Sequence, residues 1–65
     1  MHKEVDDFIV ACWEVKVRVE AYWHTHERHQ MILALERLIV RARNVGVTEY
    51  GQQRLAEIER RLNDG

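Results

Sequence analysis

The chain has 65 residues, ten basic and eleven acidic side chains, a net charge of −1 and a single cysteine. That length allows one domain, residues 1–65, which usually needs a disulfide, a metal or a partner chain to be stable. One cysteine excludes an intramolecular disulfide, the absence of serine excludes a serine nucleophile, and the near-neutral charge disfavours nucleic-acid binding by electrostatics alone.

The first residues, MHKEVDD, are too acidic for a secretory signal. The longest strongly apolar run, FIVACW at 8–13, is far shorter than a membrane span. A lone thiol with no signal segment points to the reducing cytoplasm, with no membrane partner. Residues 1–30 carry four basic and six acidic side chains, a net of −2, and residues 31–65 carry six and five, a net of +1.

From Phe8 to Arg43 there is no Gly, Pro, Asn, Asp or Ser, the five types that dominate turns. Val15, Val17, Val19 and Ala21 alternate with charged residues, as a strand would. On a helix the same residues make two apolar stripes. Phe8, Cys12, Val15, Val19 and Tyr22 form one by steps of three and four, and Val10, Trp13, Val17 and Ala21 form another on roughly the opposite side. A strand here lacks both a turn and a pairing strand, so the segment is expected to be helical.

Further along, Met31, Leu35, Leu38, Ala42 and Val45 form a strong stripe in phase with the second face, while Leu33 and Val40 continue the first. The unbroken phase predicts one helix from about residue 3 to 44. NVGVT at 44–48 then supplies a stop, with Asn44 and Gly46 able to turn left-handed and Thr48 able to cap a second helix ending near Asn63. The expected fold is therefore all-α: a long helix, a tight turn and a short return helix, a helical hairpin. The alternative is a three-helix arrangement with a break near 24–26, where Thr25 is the only candidate cap.

A helix of about 42 residues would be ~63 Å long, whereas a compact chain of this size has a radius of gyration of only ~11 Å. The return helix could cover only the half around Leu35 to Val45. Self-association as a homodimer or higher oligomer is the expectation that follows, since exposing a large apolar side chain forfeits ~1.5–3 kcal/mol. The expected interface residues are Phe8, Cys12, Trp13, Val15, Val17, Val19, Tyr22, Trp23, Leu33 and Val40.

No catalytic constellation is present, and no metal or cofactor site is expected. His26 and His29 share a helical face and His24 points elsewhere. A pair at this spacing is two ligands at most, and zinc needs three or four. Cys12 has no base within reach on its own helix and is read as structural. Asp6 and Asp7 complement the dipole of a helix N-terminus. ARNVGVTEYGQQRLAEI has a spacing like that of a helix-turn-helix, with Gln52, Gln53 and Arg54 as potential base readers. Gln52 sits where such motifs bury an aliphatic residue, and Gly51 weakens the second helix.

The expected function is non-catalytic: a small protein that binds another, unidentified protein through an apolar helical surface, as adaptor or inhibitor. Proteins of this size are often carried by phages and mobile elements. The alternative is a dimeric DNA-binding regulator that uses Gln52, Gln53 and Arg54.

Overall fold

A computed structural model describes residues 2–22 and 25–64, Thr25 by its backbone only. The described residues are almost entirely helical, in three elements: α1 (Lys3–Tyr22), α2 (Thr25–Val45) and α3 (Glu49–Asp64). The valine-rich alternation of residues 15–21 lies wholly within α1, as the two-stripe pattern requires.

The continuous helix predicted over 3–44 is not what the structure contains. The described helical residues end at Tyr22 and resume at Thr25, and α2 runs back beside α1. The N-terminal part of α1, around Val5, Ile9 and Val10, lines one groove with Ala42, Arg43 and Gly46 at the far end of α2. Lys16 lies 3.8 Å from Glu36 in an ion pair between the two helices. Arg28, in the second turn of α2, donates to the Glu20 carbonyl oxygen at 3.4 Å, which serves one of the acceptors that the last turn of α1 leaves without a helical partner. Within the stretch that lacks glycine and proline, the reversal is thus braced by a side chain from the following helix. The radius of gyration is 11.5 Å, close to the ~11 Å of a compact chain this long.

The second junction follows its local signals. Gly46 takes φ +89 and its N–H donates to the Ala42 carbonyl at 2.9 Å, the hydrogen bond that ends a helix on a left-handed residue. Asn44 stays helical, so the glycine alone carries the turn. Thr48 caps α3, its Oγ1 accepting from the Gly51 N–H at 3.0 Å. Arg18 of α1 donates to Asn63 near the end of α3, and Phe8 lies beside Gly51 near its start, so α3 runs parallel to α1.

The core draws one stripe from each helix: Phe8, Cys12, Val15 and Val19 from α1, Met31, Leu35, Leu38, Ile39 and Ala42 from α2, and Leu55, Ile58 and Leu62 from α3. Gly51 is buried against Phe8, and a Cβ there would lie 3.5 Å from the ring, an ordinary contact.

Candidate functional site

The structure divides the ten expected interface residues into two sets. Phe8, Cys12, Val15 and Val19 are buried within the chain itself. Their stripe meets α2 and α3 once α2 folds back, so it presents nothing to a partner. Trp13, Val17, Tyr22, Leu33 and Val40 are exposed, and Trp23 lies outside the described residues.

Position along each helix decides the outcome. On α1, Val10, Trp13 and Val17 stand on the side opposite the core stripe, Trp13 45% exposed and Val17 64%. On α2, Leu33 and Val40 stand seven residues apart, opposite the stripe of Leu35 and Leu38, with Val40 56% exposed. The two sets are joined across the helix pair. Lys16 Nζ lies 4.3 Å from the centre of the Trp13 ring and 3.8 Å from Glu36, and Glu36 lines the same surface groove as Leu33 and Val40. A cation over an indole face is favourable by ~0.5–1 kcal/mol at such an exposed site. Lys16 thus touches Trp13 within α1 and Glu36 across on α2.

The groove continues from Leu33 and Val40 past Arg37 and Arg41 to Tyr50 and Arg54. Arg41 lies 5.9 Å from the Tyr50 ring and Arg54 binds Glu57 at 2.9 Å. Arg37 has no ion-pair partner among the described residues. This basic margin was not legible as a site from α2 alone, because Tyr50 and Arg54 arrive from α3.

The expected DNA readers are placed less favourably. Gln52 and Gln53 are exposed on α3, but Gln53 is turned to Glu49 at 3.4 Å and Arg54 to Glu57. The helix carries three basic and four acidic residues, a charge that repels phosphate.

His26 and His29 are both exposed in the first turns of α2, and His24 lies outside the described residues. No cluster of three or more metal-ligating side chains occurs among the described residues. No helix is long and apolar enough to cross a membrane, again among the described residues.

Cys12 is fully buried. Burial pushes its thiol from 9.0 up to about 11, and the Glu59 carboxylate adds to the rise. The thiol is therefore protonated and unreactive at neutral pH. A group whose folded pKa is raised contributes stability that is complete below the unfolded pKa, here 9.0. That contribution is lost as pH climbs toward about 11. The melting temperature should therefore fall more steeply over this alkaline range in the wild type than in Cys12→Ala. Parallel declines would show that Cys12 ionisation does not limit stability.

No protein-family model matches the chain, and neither a curated protein nor a solved structure shows significant similarity to it.

Proposed function

We propose that this is a non-catalytic protein-binding module whose working surface is the exposed face of α1 and α2, acting as an adaptor or inhibitor. The observation that supports it is the joined set of Val10, Trp13, Val17, Leu33 and Val40, left outside a core that is already complete without them. Isolated exposed apolar residues are ordinary on any protein. A set that includes a tryptophan, spans two helices and is edged by arginines has the composition of an interface centre. A buried, unpaired thiol suits a reducing compartment such as the cytoplasm.

Replacing both Leu33 and Val40 by glutamate tests this. The variant is expected to keep wild-type helicity by circular dichroism, since both side chains point away from the core. It should lose the association expected of the wild type in sedimentation and in affinity capture from cell lysate. Gln52→Ala with Gln53→Ala should leave both intact. If the glutamate variant associates like wild type, binding does not use this face. A duplex shift that weakens with added salt and vanishes in the Gln52/Gln53 variant would instead establish the DNA-binding alternative.

A further inference from the structure

We infer that the occupant of this face is a second copy of the chain, related by a two-fold axis parallel to the helices. α1 of one copy would then pack against α2 of the other to make a four-helix core, with α3 outside. The inference rests on the protein-binding face proposed above, for which a second copy and any other protein would compete.

Charge supports it first. α1 carries three basic and five acidic residues, a net of −2, and α2 four and two, a net of +2 with its histidines neutral. In the proposed bundle each α1 lies between two α2 helices, its own and that of the second copy, so every neighbouring pair in the square is of opposite sign and antiparallel. Packing α1 on α1 would place like charges together, which costs specificity and affinity.

Register supports it independently. Within one chain Lys16 stands level with Glu36, and Val10 with Ala42 and Arg43. A two-fold axis parallel to the helices preserves height, so the same levels apply between copies. Trp13 then meets the level of Val40 of the second copy, and Val17 that of Leu33 of the second copy. The exposed apolar residues on the two helices thus coincide in height to within ~3 Å. Glu14 and Arg37 flank these apolar residues on their helices, and neither has an ion-pair partner among the described residues. At 1.5 Å rise per residue, Glu14 falls within about one turn of Arg37 of the second copy, so the two-fold creates this rim pair twice.

The test is a charge exchange read by sedimentation equilibrium and circular dichroism. Wild type at ~100 μM should have twice the 7.8 kDa mass of one chain. Glu14→Arg and Arg37→Glu should each weaken the dimer about tenfold or more while keeping wild-type helicity. An equimolar mixture of the two should recover the dimer, because in the mixed pair both rim contacts join opposite charges. A dimer that resists both single changes, or a mixture that fails to recover, overturns the two-fold arrangement. A monomeric wild type also overturns it. In that case lysate capture that depends on Leu33 and Val40 would leave the protein-binding role standing, and loss of capture as well would remove both.

Discussion

Leu35→Ala is expected to cost ~2–5 kcal/mol of folding free energy. Leu35 is 0% exposed, in the core that all three helices share. The cost combines the lost transfer energy of the side chain with a cavity that rigid helices cannot fully close. Domains are stable by only ~0.05–0.15 kcal/mol per residue, so a chain this short has little reserve and much of the variant would be unfolded at room temperature. Leu33→Ala, two positions away, removes the same atoms from an exposed site. Leu33 is 36% exposed, so by denaturant titration at a concentration low enough to keep the protein monomeric its loss should cost only ~1 kcal/mol, well below that at Leu35. Equal losses at the two positions would mean that the core face of α2 is assigned wrongly.

A second measurement bears on the reversal between α1 and α2. Val10 and Asn44 line one groove, so spin labels on Val10→Cys and Asn44→Cys should lie within ~20 Å of each other, about two helix diameters with the label arms included. In a continuous helix, 34 residues would hold them ~51 Å apart. Labelled chain diluted into unlabelled chain isolates the distance within one molecule, and the buried Cys12 thiol stays unlabelled under native conditions. A distance near ~51 Å would restore the single long helix.

Much of the fold was legible in particular residues. The steps of three and four among Phe8, Cys12, Val15 and Val19, among Met31, Leu35, Leu38 and Ala42, and among Leu55, Ile58 and Leu62 correspond to the stripes that are buried, whereas Tyr22 and Val45, counted at the ends of the first two, lie beyond the core and are exposed. Gly46 and Thr48 end one helix and begin the next through backbone and side-chain hydrogen bonds that those residue types favour. The reversal after Tyr22 was not legible in this way, because no glycine or proline marks it. A signal was nevertheless present. The core stripe of α1 and that of α2 lie on opposite sides of a hypothetical continuous helix. Two helices that fold against each other have independent phases, so the change of side at residues 20–30 is what a reversal produces. The preserved weak stripe of Leu33 and Val40 masked it.

The interface candidates divide for the same reason. As isolated helices, α1 has two apolar stripes with nothing local to rank them, and Cys12 and Val17 are equally eligible for a partner. Once α2 and α3 cover one side, Cys12 is enclosed and Val17 is left at the surface. Likewise Lys16 acquires Glu36 as a neighbour only when α2 lies alongside, twenty residues on in the chain, whereas its contact with Trp13 is made within α1.

By itself the sequence determined helix type, the stripes available for burial and the place of the glycine turn, because these depend on side-chain spacing and backbone freedom over a few residues. Only the tertiary structure decided which stripe of α1 became core and which became surface, and that α2 folds back on α1 rather than continuing it. Those outcomes depend on contacts between residues far apart in the chain: Phe8, Cys12, Val15 and Val19 are buried only because two other helices lie against them.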